Sequence, residues 1–65
     1  MIQIKTQELR DAVQSAYEFD VEHGKRIDRT ERATGNLFHE TYEFDGKIRT
    51  YYFDRFVLIA YKDAA

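Results

Sequence analysis

The dipeptide Asp45-Gly46 constrains this chain more than any other pair of residues. A two-residue hairpin turn of the mirror-image type needs positive φ at both central positions. Glycine adopts that conformation freely and aspartate tolerates it. Folding the chain about this pair fixes a register. Phe44 falls opposite Lys47, Tyr42 opposite Arg49, Glu40 opposite Tyr51 and Phe38 opposite Phe53, all on one face. Glu43 with Ile48, Thr41 with Thr50, and His39 with Tyr52 fall on the other. Six of the ten aromatic residues lie between 42 and 56. They form either the core of a small sheet or a surface for a partner.

Upstream, Ile2 and Ile4 alternate with polar residues, which suits a short strand. Thr6 is placed to cap a helix and Glu8 suits its positive end. Leu9, Ala12, Val13, Ala16 and Tyr17 then recur at spacings of three and four, an apolar stripe on one side of a helix. Tyr17, Phe19 and Val21 also alternate at strand period, but the helix reading is preferred, ending near 19–23 with Gly24 as the stop. Residues 25–36 carry one large apolar side chain, Ile27, and read as a polar, mobile connection without a core face. If they form a helical turn, Lys25, Arg29 and Arg32 share one side. "FVLIAY" at 56–61 reads as a strand buried on both faces. Asp54-Arg55 has no glycine for a tight turn, so a single bent strand over 47–62 and a helix after Asp54 are the alternatives.

The expected fold is therefore α+β. One amphipathic helix packs on a small antiparallel sheet in the order β-α-β-β-β, within a single domain over residues 1–65. Leu9, Val13, Ala16, Phe19, Phe38, Phe53, Val57 and Ile59 are the core candidates. Sixty-five residues bury only roughly 60% of the unfolded surface. With no cysteine to cross-link it, such a core rarely supplies more than about 3–5 kcal/mol. Association with a second copy or another protein is a common remedy.

The sequence argues against an enzyme. His23 and His39 are sixteen residues apart, a spacing that matches no compact metal motif, so neither metal nor cofactor is expected. The carboxylate clusters (Glu18, Asp20 and Glu22; Glu40, Glu43 and Asp45) read as solvated faces. Three isolated glycines make no phosphate loop. The repeated "YEFD" at 17–20 and 42–45 is too short to be a structural repeat. No motif is specific enough to identify a family. The first ten residues turn polar after four, and no apolar run approaches the ~20 residues of a membrane span. A cytoplasmic protein is the expectation.

A single helix covers one sheet face and leaves rings on the other. The sequence thus suggests a non-enzymatic protein-binding module, an adaptor or inhibitor of the kind small mobile-element proteins supply. It would act through Tyr42, Asp45, Lys47, Arg49, Tyr51 and Tyr52. The alternative is nucleic-acid binding through Lys25, Arg26, Arg29 and Arg32. Asp28 and Glu31 among them, and a net charge of −2, weigh against it.

Overall fold

The computed structural model describes residues 1–32 and 35–64. The chain runs β1 (Ile2–Gln3), α1 (Gln7–His23), β2 (Lys25–Glu31), β3 (Leu37–Phe44), β4 (Lys47–Asp54) and β5 (Val57–Ala64). All five strands join one antiparallel sheet in the order β1-β5-β4-β3-β2. Strands β2 to β5 form a meander of consecutive hairpins. The helix carries the chain from one edge strand to the other. At about 1.5 Å per residue, its 17 residues span about 25 Å. Five strands at about 4.8 Å spacing are about 19 Å wide. The helix is long enough to cross the whole sheet, but it covers only one of its two faces.

The helix starts and stops for local reasons. The Thr6 side chain accepts from the Leu9 backbone N–H at 3.1 Å, and Glu8 lies in the first turn. Leu9, Val13 and Tyr17 pack down on the sheet. Arg10 ties the helix to β5, donating to the Leu58 carbonyl at 2.8 Å. At the far end Gly24 donates to the Asp20 carbonyl at 2.8 Å, but its backbone is extended, not left-handed. Space is what demands glycine here. A Cβ would lie 2.8 Å from the Asp20 carbonyl oxygen and 3.0 Å from that of Glu43.

The β3–β4 register follows the Asp45-Gly46 turn, with all seven expected pairs present. Asp45 and Gly46 have φ of 51° and 80°, and the Glu43 carboxylate accepts from the Gly46 N–H. Residues 57–64 form a strand, not a helix or part of one bent strand. It is not buried on both faces: only Leu58 and Ala60 are buried in it, and its last three residues are exposed. Its connection to β4 is a second two-residue turn built without glycine. Arg55 and Phe56 take φ of 52° and 70°. Left-handed backbone costs an ordinary residue about 1–2 kcal/mol, so this turn is held by its surroundings. The Arg55 N–H donates to the Asn36 carbonyl, and the Phe56 ring lies 5.5 Å from Phe38.

Two expectations need correction. The segment after Gly24 is not a mobile connection: Lys25–Glu31 is an edge strand paired along β3. Ladder hydrogen bonds to β3 hold it on its inner side without any apolar face, and so hydropathy did not reveal it. Ala33 and Thr34 of the expected connection lie outside the described residues. Ile27 sits in a bulge between the pairs Arg26–Tyr42 and Asp28–Thr41. Among the core candidates, Phe19 (46% exposed) and Val57 (51%) are peripheral. Phe19 flanks the helix against Phe44 and His23, and Val57 follows the turn opposite Asp54.

Gly24→Ala is expected to destabilise the fold by about 1–3 kcal/mol, because both obstructing atoms are backbone. Urea melts of the two proteins measure it. The double change Arg55→Asn with Phe56→Gly is expected to add about 1 kcal/mol by relieving positive φ. A loss instead would mean that the Phe56–Phe38 contact outweighs the strain.

Candidate functional site

Strand parity decides which side chains the helix covers. Phe38, Glu40 and Tyr42 of β3, and Arg49, Tyr51 and Phe53 of β4, face α1. Tyr42 and Tyr51 are therefore interior residues, not docking residues; Tyr51 has no exposed surface. They surround Tyr17, whose ring centroid lies 5.8 Å from Tyr42, 5.1 Å from Tyr51 and 5.2 Å from Phe53, all edge to face. The Glu40 carboxylate accepts from the Tyr17 and Tyr42 hydroxyls at 2.8 Å. Tyr51 donates to Asp20 at 2.5 Å. Among the described residues no buried side-chain polar atom lacks a partner. Burial, with a carboxylate accepting from each hydroxyl, raises the pKa of Tyr17, Tyr42 and Tyr51 above the ordinary tyrosine value.

The four basic residues of 25–32 do not form one patch. As a strand, the segment sends Arg26 and Arg29 to the helix side, where they lie 3.9 and 3.4 Å from Glu40. Arg29 also bonds Glu31 and covers the Phe38 ring. Lys25 and Arg32 belong to the opposite face.

Arg49 also points to the helix side, paired through two nitrogens with Asp63, whose carboxyl it holds below the usual range. Together with Ala16, Phe19, Asp20, Phe44 and Lys47 this pair borders an open groove of about 590 Å³. The groove's charged groups are largely paired: Arg49 with Asp63, Asp20 with Tyr51. Asp45 and Lys47 sit exposed at the hairpin turn.

Tyr52 alone of the expected ring residues lies on the uncovered face. It stands 5.4 Å from His39, beside Thr41 and Thr50, whose hydroxyls are 2.8 Å apart. Leu37, Tyr52, Ile59 and Ala60 border a shallow concavity of about 250 Å³, which Met1, Gln3 and Arg32 also line and which reaches the edges of Phe38 and Phe53. The central strands thus present a patch without charged side chains. Around it lie Lys25, Asp28, Arg32, Glu43, Asp54 and Lys62. His39 bonds Asp28 at 3.1 Å, and His23 approaches Glu22 at 3.8 Å. Among the described residues no three His, Asp or Glu side chains converge as a metal site would require. Among those residues, too, no helix is long and apolar enough to cross a membrane.

The raised tyrosine pKa values carry a sign. Above roughly pH 10 the unfolded chain releases phenolic protons that the folded chain retains, so stability falls as pH rises from there. Tyrosinate absorbance from Tyr17, Tyr42 and Tyr51 is expected to appear together with loss of helical circular dichroism. Ionisation of these three with the dichroism unchanged would contradict the buried arrangement.

Comparison of the chain with protein-family models, curated proteins and solved structures finds no match.

Proposed function

We propose that the chain is a small non-enzymatic protein-binding module, an adaptor or inhibitor that acts by docking its uncovered sheet face on another protein surface. The observation that supports this is the make-up of that face. An uncharged centre around Tyr52 is ringed by charged side chains, the arrangement of a protein interface with a dehydrated core and a wet rim. Asp45 and Lys47 at the hairpin tip extend the reachable surface. Nucleic-acid binding is the weaker reading, since Arg26 and Arg29 are engaged by Glu40 on the helix side. Only Lys25 and Arg32 of the basic stretch share the open face.

The test is retention of proteins from cell lysate on the immobilised chain. Tyr52→Glu is expected to abolish retention while circular dichroism stays unchanged. Lys25→Glu with Arg32→Glu, nuclease treatment, and a rise in salt from about 50 to 200 mM are expected to change it little. Phosphate-driven binding would fall by orders of magnitude over that salt range. Loss of retention on nuclease treatment would replace the protein reading with the nucleic-acid one.

A further inference from the structure

We propose that the occupant of the open face is a second copy of this chain, in a symmetric dimer whose twofold axis runs parallel to the strands between β3 and β4. This rests on the reading of that face as a docking surface, and it names the partner.

The register carries the argument. Asp28 pairs with Thr41, Thr41 with Thr50, and Thr50 with Lys62, so these four residues form one row across the open face. The row has an anion at one end, a cation at the other and two hydroxyls between. A twofold rotation about an axis between β3 and β4, in the plane of contact, reverses the row on the facing copy. Asp28 of each copy then stands opposite Lys62 of the other, and Thr41 opposite Thr50. The next row, Thr30–His39–Tyr52–Ala60, reverses in the same way and sets His39 against the facing Tyr52. An axis across the strands would instead bring Lys25 towards the facing Arg32, like charge against like.

The charge total agrees. Lys25, Arg32 and Lys62 balance Asp28, Glu43 and Asp54, so the face has no net charge and favours neither a polyanion nor a strongly basic protein. Among the described residues no carboxylate lies within ion-pair distance of Lys62. Its charge remains available to a facing Asp28. The area fits a weak, concentration-dependent dimer. Four full-length strands at about 4.8 Å and some seven residues at about 3.3 Å give roughly 450 Å² per copy. Two copies would bury about 900 Å², at the low end of specific association. A second copy would also cover Tyr52 and Ile59, half-buried in one chain, while the outer rows set Leu37 against the facing Asp54 and Ile48 against the facing Glu43.

Sedimentation equilibrium of the intact chain tests this. The wild type is expected to be dimeric at micromolar concentration, and its melting temperature to rise with concentration. Asp28→Lys and Lys62→Asp, both at exposed positions, are each expected to weaken the dimer by roughly tenfold or more. The double exchange is expected to restore it. A chain that stays monomeric at all concentrations overturns the proposal, as does a double exchange no better than the singles. If that monomer still loses lysate partners on Tyr52→Glu, only the choice of partner fails. If Tyr52→Glu changes neither self-association nor retention, the docking face itself fails.

Discussion

Three tyrosine hydroxyls determine how the helix of this protein can sit on its sheet. Tyr17 from the helix and Tyr42 and Tyr51 from the sheet supply much of the interior, and phenols are buried cheaply only when each hydroxyl is bonded. Glu40 and Asp20 are the acceptors. Glu40 is itself a buried carboxylate, and Arg26 and Arg29 bring compensating charge to its outer oxygen. One chain of contacts therefore links the helix, the central hairpin and the edge strand β2. A greasier core of the same volume would tolerate sliding. This one fixes position, because a shift of one residue would strand a carboxylate among rings.

The same interior explains how far the sequence could be read. The Asp45-Gly46 turn made the β3–β4 pairing legible residue by residue, and Thr6 with the apolar spacing made the helix legible. The error at Tyr42 and Tyr51 was one of weighting. The parity that puts Phe38 and Phe53 against the helix puts Tyr42 and Tyr51 there too. Treating tyrosine as a surface residue obscured that consequence. Glu40, opposite Tyr51 in the same register, was the available sign that a carboxylate would be drawn inside with them. Strand β2 was hidden for a different reason. Its side chains carry almost no apolar pattern, and what holds it is the exposed backbone of β3, which no composition reveals. The Arg55-Phe56 turn was equally opaque, since neither residue favours the backbone it adopts.

Helix and sheet also divide the charges unequally. On the helix side, cations and carboxylates meet in close pairs, Arg49 with Asp63 and Arg29 with Glu31 and Glu40. On the open side His39 bonds Asp28, while Lys25, Arg32, Lys62, Glu43 and Asp54 form no ion pair among the described residues, and the centre is left to hydroxyls, an imidazole and one phenol. Paired charges rigidify the side that is already covered. Separated ones leave the other side able to discriminate between surfaces by sign.

Strand β2 has a consequence beyond completing the sheet. A free strand edge is normally a template on which further strands add without limit. Here the Ile27 bulge breaks the spacing of the outward N–H and C=O groups, and the lysine, arginines and carboxylates around it resist dehydration. Addition of a further strand along this edge is therefore disfavoured at its first step, whatever the tyrosine and phenylalanine content of the rest of the molecule.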